Sequence, residues 1–420
     1  STKTIEDVEE YMAGQVDGYV LSLIGNDNTT ETITGKEISM KYKKGEGLAK
    51  VLESQNPFLW PKSLWEKEDL HVEVGVEYDK KALDTKIASL KSVSNPKPTN
   101  SVSAMPVFDG NQFTIKKEVY GNKVDITTMT KAIEDHLNGF VDTLNMEEEQ
   151  CYVQPKFLSD AKEVAAARDK MNQYIKASVT YDFTPHTEVV DKAVISGWLT
   201  VDGDMNVTFQ KEKVKEYIKE LASKYNTSGK PRSFVTANGN TVEVRNGVYG
   251  WKINQNKEYE KLVANIEAGE TVTREPEYSR RAKSHEGNDF GNTYVEIDLS
   301  SQRLWFIKDG QKMMESDIVT GNPNKGNATP QGVYTVTYKT KNATLRGPKQ
   351  PDGSYEWESP VSFWMPFNGG IGMHDANWQS AFGGSRYKTH GSHGCVNMPY
   401  EKAKQVYGYI DAGTVVVCHY

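Results

Sequence analysis

Cysteine is scarce in this 420-residue chain, which holds only Cys151, Cys395 and Cys418. Three thiols cannot frame a disulfide-stapled scaffold, so the core must come from ordinary apolar burial. Long hydrophobic runs are missing too: no stretch approaches the roughly 18 to 20 apolar residues that span a bilayer, and no signal-peptide pattern opens the chain. The sequence starts at Ser1 rather than Met, which leaves room for an N-terminal membrane anchor ahead of it. Charge of one sign does not dominate. Lys and Arg are scattered among Asp and Glu at a formal net charge of -7, a pattern that argues against nucleic acid as a partner. What is present, 37% hydrophobic and 25% charged residues, suits globular protein of several domains.

Taken in order, residues 18–45 alternate apolar and polar positions around an Asn-Asp-Asn turn and predict a hairpin. Helical spacing follows from Asp79 to Leu90, and a Pro- and Ser-rich loop from Asn95 to Met105. The block from Pro106 onward predicts strand, turn, strand and a helix opening near Thr127, with threonines as capping residues. That block recurs 129 residues later. Val119, Tyr120, Gly121 and Lys123 match Val248, Tyr249, Gly250 and Lys252, while Ile133 and Leu137 match Leu262 and Ile266. The hairpin has an echo as well, since Ile33, Thr34 and Gly35 resemble Ile195, Ser196 and Gly197. Two copies of one α+β module are therefore expected.

Between the copies, a helix from about Ser159 to Lys176 is expected to space or orient them, with Ser159 as N-cap. Cys151, just before it, reads as a small hydrophobe. Residues 272–291 lose periodicity and read as a linker. Beyond them, short β-rich runs separated by turn residues, with one helix from Pro399 to Ile410, predict a mostly-β sandwich or barrel with one or two short helices. The expected domains are 1–150, a first α+β module; 151–271, a helix and a second module; the linker; and 292–420.

One stretch resists explanation by packing. His374 to Pro399 combines three histidines, Cys395 and repeated glycines with no sustained period, and such a segment buries little apolar surface. A nucleophilic thiol needs a base in hydrogen-bond reach and N–H donors for the oxyanion formed on attack at a carbonyl. His374 ends the strand-like GGIGMH and can supply the first, while Gly394 permits close approach to the thiol. Two other readings stand beside this one. His374, His390, His393 and Cys395 are four competent zinc ligands, although their spacing is not that of a zinc knuckle, and Cys395 could be a buried structural thiol.

The run FWMPFNGGIGMHDANWQSAFGGSRYKTHGSHGCVNMP closely resembles the signature of the L,D-transpeptidases of bacterial cell-wall assembly, the YkuD-type catalytic domain: a histidine, a spacer, then Ser/Thr-His-Gly-Cys-x-Asn/Arg. TPQGVYTV and YVEIDLSSQRLWFIKDG look like that family's opening strands, so the likeness covers about residues 292–420. The resemblance implies that Cys395 attacks the third residue of a peptidoglycan stem tetrapeptide, expels D-Ala and forms a thioester that a second stem resolves into a 3→3 cross-link. It makes His374 the general base and acid, oriented by a backbone carbonyl, with Ser392, His393 and Gly394 shaping the oxyanion region through the N–H groups of Gly394 and Cys395. His393, nearer to the thiol in sequence, is the rival base, and His374 is favoured over it. Asn397, Trp378, Trp364 and Tyr387 would contact substrate, with Arg346 and Lys388 as lesser candidates for its carboxylates.

The modules resemble the repeated peptidoglycan-binding domain that precedes such catalytic domains in Gram-positive bacteria, carried by VYG-x-K and the helix after it; a stalk is the alternative. Implied partners are donor and acceptor stems, with carbapenem-type β-lactams as covalent inhibitors; no cofactor or metal is implied. The implied setting is extracellular, at the cell wall and outer face of the plasma membrane, in peptidoglycan synthesis and cell shape. L,D-carboxypeptidation, wall-protein attachment, or wall binding by a chain with an inert catalytic domain are the alternatives.

Overall fold

A computed structural model describes residues 5–26, 28–43 and 75–420. Residues 27, 44 and 45 of the first expected hairpin, the first of them in its turn, lie outside them. The chain divides into two compact units, Ser1–Lys170 with Val201–Asn206, and Met171–Thr200 with Val207–Tyr420.

In the first unit, strand Val20–Ile24 pairs antiparallel with Thr30–Thr34 and parallel with Thr143–Asn145. Leu21, Leu23 and Ile33 point from this sheet onto helices Lys80–Ser89 and Ile126–Asn138, whose Leu83, Ile87, Met129, Ile133 and Leu137 are buried in one cluster with Cys151. Cys151 is fully buried there, and burial pushes its thiol up to about 11.

The second unit repeats this plan. Strand Ser178–Phe183 pairs antiparallel with His186–Val190 and parallel with Thr271–Arg274, and helix Gln255–Glu267 occupies the place of Ile126–Asn138, shifted by 129 residues at both ends. Its cap is a corresponding residue as well. Asp125 and Asn254 each accept the N–H three residues on, from Thr128 and Lys257, so a carboxylate and an amide cap these helices, the carboxylate in the first where threonines near Thr127 were expected. The echo between Ile33 and Ile195 joins unlike structures, a strand and the short helix Lys192–Ser196; the hairpin's counterpart is 178–190. The intervening helix runs Lys162–Tyr174, so Ser159 lies two residues ahead of the cap position and does not cap it; its N–H is donated to the Glu118 carboxylate.

The expected linker is structured. Residues 272–291 include most of Thr271–Arg274 and all of Tyr278–Arg280, His285 stacks on Trp251 with ring centroids 4.1 Å apart, and buried Asp289 pairs with Arg232 at 2.8 Å. Polar residues misled the sequence reading because their partners lie 34 to 57 residues away.

The C-terminal region is a sandwich of two mixed sheets. Its elements are β1 (Tyr294–Asp298), β2 (Arg303–Lys308), β3 (Gln311–Asp317), β4 (Gly332–Thr335), β5 (Thr340–Arg346), β6 (Glu358–Asn368), β7 (Ile371–Asp375), α1 (Tyr387–His390), β8 (Val396–Met398), α2 (Tyr400–Tyr409) and β9 (Val415–His419). One sheet has the order β3-β2-β1-β9-β4 and the other β5-β6-β7-β8. Ile297, Phe306, Val416 and Cys418 from the first meet Phe363, Met365, Met373 and Met398 from the second, with Ala403 and Val406 of α2 closing the core. Cys418 is therefore an inward strand residue, free and fully buried. The outer face of the first sheet is covered too, where Val333, Val415 and Val417 pack with Phe234 and Val244 of the second module and with Phe290 of the segment that follows it.

Candidate active site

His374 occupies a central position in the second sheet. Its strand β7 lies between β6 and β8, with Trp364 opposite on one side and Asn397 on the other, a row that places three side chains across one face. The imidazole lies between two indoles, its centroid 5.9 Å from that of Trp364 and 5.8 Å from that of Trp378. His374 Nδ1 stands 2.9 Å from the Asp375 carbonyl oxygen. A carbonyl only accepts, so Nδ1 carries the proton and Nε2 keeps a free lone pair. Burial lowers the pKa of this histidine, and the ring is neutral at pH 7. Asp375 has a further task, since its carboxylate accepts the N–H groups of Ser362 and Phe363 at 2.8 Å each and ties β7 to β6.

Cys395 enters β8 from a turn that neighbouring chain holds in place. Ser392 Oγ accepts from Gly394 N–H at 3.0 Å and donates to the Cys395 carbonyl at 2.6 Å. Thr329 Oγ1 donates to the Gly394 carbonyl at 2.7 Å and accepts the Gly321 N–H at 3.0 Å, bracing the turn from 65 residues away. Gly394 has φ +124°, and a Cβ there would press Ile371 at 3.0 Å, so the position requires glycine. The half-buried thiol donates to the Gly370 carbonyl at 3.6 Å. Burial pushes it up to about 11, against the opposing effect of the Gly372 N–H. At neutral pH the pair is thus thiol and neutral imidazole.

His374, Cys395, Asn397, Trp378, Ser392 and His393 line one cavity of about 350 Å³. Other expected residues are placed differently. Trp364 backs the imidazole and donates from Nε1 to Tyr338 at 3.3 Å, without lining the cavity, and Tyr387 does not line it either. Arg346 pairs with Glu358 at 2.7 Å, while Lys388 sits over the Tyr387 ring. The Gly394 N–H is engaged by Ser392, so of that pair the Cys395 N–H is the one that Ser392 does not hold. The zinc arrangement does not form, because His393 stacks on Trp357 at 4.9 Å and 9°, and among the described residues no three His, Cys, Asp or Glu side chains converge on a metal position.

Trp357, Lys325 and Arg386 line the cavity and were not foreseen. A lone tryptophan in the polar run SYEWES was the available signal for the first. Asn397 is buried with Oδ1 unpartnered among the described residues and borders the same space.

Residues 292–418 match the family model described as the YkuD L,D-transpeptidase catalytic domain, and 31–141 and 158–274 each match the model described as "Putative peptidoglycan binding domain". An Enterococcus faecium L,D-transpeptidase, solved as a cysteine-to-serine mutant, is 36% identical over 61% of this chain and 100% of its own, with a TM-score of 0.49. The chain belongs to the L,D-transpeptidase family. The Ldtfm avibactam carbamoyl enzyme is likewise 36% identical, over 62% of this chain and 98% of that one, with a TM-score of 0.49. The catalytic domain of the E. faecium enzyme acylated by ertapenem is 44% identical over 31% of this chain and 98% of its own, with a TM-score of 0.28. No curated protein matches the chain. As a family member it is a transpeptidase, an acyltransferase, with peptidoglycan-binding domains ahead of the catalytic one. The second of these includes the helix Lys162–Tyr174, which the sequence reading had set between the modules. Among the described residues, no helix is long and apolar enough to cross a membrane.

Proposed function

We propose that this L,D-transpeptidase forms 3→3 peptidoglycan cross-links through a Cys395 thioester. The observation that carries the reading is the His374 Nδ1 contact with the Asp375 carbonyl, which frees Nε2 as a base in the cavity that holds Cys395. As the sulfur bonds to the carbonyl carbon of the donor's third residue, the thiol proton passes to Nε2 and the oxygen takes the negative charge, facing the Cys395 N–H. Collapse breaks the amide bond, and the imidazolium returns its proton to the departing D-Ala amine. An amine of a second stem then attacks the thioester, losing a proton to His374, and the thiolate leaves and recovers that proton. Asn397 Oδ1 offers an acceptor to substrate N–H, and Trp378 supplies an apolar wall that limits hydrolysis. His393 and Ser392 shape the turn.

The modules hold this chemistry at the cell wall by binding peptidoglycan. Ertapenem acylation of the E. faecium catalytic domain supports carbapenem adducts at Cys395 here. The test uses a defined tetrapeptide donor, alone and with an amine acceptor, and weighs the products. Cross-linked product from the intact chain and none from Cys395→Ala is the expected result. Hydrolysis alone in the presence of acceptor would instead make the chain an L,D-carboxypeptidase, and activity retained by Cys395→Ala would end the thioester reading.

A further inference from the structure

The cavity carries a charge bias that acyl transfer by Cys395 and His374 does not use. Its lining includes two cations, Lys325 and Arg386, and contains no carboxylate, in a chain of net charge -7. Arg386 is the distinctive member. It is half-buried and held by neutral acceptors, with Nε donating to Gln379 Oε1 at 2.9 Å and Nη2 to Ser380 Oγ at 3.0 Å. Gln379 is itself fixed, donating from Nε2 to the His390 carbonyl at 2.8 Å. Two other arginines of this chain show how such a charge is usually balanced: Arg232 pairs with Asp289 at 2.8 Å and Arg274 with Glu258 at 2.7 Å. Among the described residues Arg386 has no acidic partner. A guanidinium that is partly desolvated, preoriented and uncompensated is matched by a carboxylate, which its planar fork can engage through two N–H groups.

We propose that Arg386 seats the α-carboxylate of the D-residue that leaves the donor stem, with exposed Lys325 drawing the anion in. This inference rests on the acyl-transfer reading. The terminal carboxylate lies one residue beyond the scissile carbonyl, and one residue spans about 3.3 to 3.6 Å, so both groups stay within the cavity. The seat holds the leaving residue while Cys395 attacks, and its charge is released with the product.

Two donors decide the matter, one stem tetrapeptide with a free terminal carboxylate and the same peptide ending in a carboxamide. The intact chain should prefer the acid by roughly 10- to 100-fold in kcat/KM, the range of a hydrogen bond to a charged group. Arg386→Gln should lose that preference, falling on the acid donor while staying within about threefold on the amide; Lys325→Gln should lower acid turnover by a few-fold, and less at high salt. An equal loss on both donors would mean that Arg386 only braces its loop and would overturn the seat, as would an intact chain indifferent to the terminal charge. Binding of both peptides to Cys395→Ala gives a readout without turnover. Equal Kd values there would sink the proposal, whereas tighter binding of the acid to Cys395→Ala, together with an intact chain that turns over neither donor, would retain the seat and reject the acyl-transfer reading.

Discussion

The two copies of the repeated module fill one buried position with opposite chemistry. At the fourth residue of the repeated helix the first copy buries Met129, and the second buries Glu258, both fully. Their neighbours change to match. Counted from the strand residues Thr143 and Thr271, which pair with Ser22 and Ser178, the first copy places Met146 where the second places Arg274. Glu258 accepts from Arg274 at 2.7 Å, from Tyr181 at 2.5 Å and from the Glu277 N–H at 2.6 Å, so each oxygen is satisfied. Helix phase and strand register are thus kept while the plug between them is exchanged, which shows that the module is specified by its pattern and not by that contact. A second contrast lies in closure. Among the described residues the first module's cluster draws on residues 16–152, whereas Phe234 and Val244 of the second module, with Phe290 of the segment after it, share a cluster with the catalytic sheet.

These contrasts can be broken by mutation. The largest effect belongs to Glu258→Ala, which leaves Arg274 buried without its carboxylate; a loss of about 3 to 5 kcal/mol is expected in urea unfolding of the intact chain. Gly247→Ala should follow. At φ +88° its Cβ would stand 2.2 Å from the Val333 carbonyl oxygen, where the module meets β4, and a cost of about 1 to 3 kcal/mol is expected from the same measurement. A smaller, pH-dependent effect attaches to the buried pair of His419 and Glu296, 3.1 Å apart, which also accepts the Ala237 N–H. Burial works to lower the His419 pKa, but the Glu296 carboxylate outweighs it and the value is raised. Its contribution is therefore full below about pH 6.5 and fades as pH rises through the folded value. The melting temperature should drop more between pH 6 and 9 in the native chain than in His419→Gln; equal drops would remove the pair from the account. The smallest effect is expected from Glu258→Met with Arg274→Met, which copies the first module and should change stability by no more than about 1 kcal/mol, or raise it.

The proposed pair of Cys395 and His374 offers a separate check on protonation. With its thiol near 11, Cys395 should react with iodoacetamide about tenfold faster per pH unit from 7 to 9, with no plateau in that range. A plateau near neutrality would indicate a thiolate–imidazolium pair.

Local pattern made much of this legible. The 129-residue repeat located both module helices, and the Ser-His-Gly-Cys run located the turn at Cys395. Residues acting over long separations stayed hidden. Trp357 stacks on His393 across 36 positions, Thr329 braces Gly394 across 65, and the polar 272–291 segment finds partners in earlier strands and loops. Apart from the lone tryptophan in SYEWES, nothing near those residues in sequence distinguishes them from ordinary loop positions.

The sequence by itself determined the repeated modules, the mostly-β catalytic region and the Cys395 turn with its histidines, because periodicity and turn chemistry act between residues a few positions apart. Only the tertiary structure decided which nitrogen of His374 is free, which N–H at the thiol Ser392 engages, and that Arg386 has no counter-charge among the described residues. Those properties depend on which groups meet after the sheets close, and on the water that their meeting excludes.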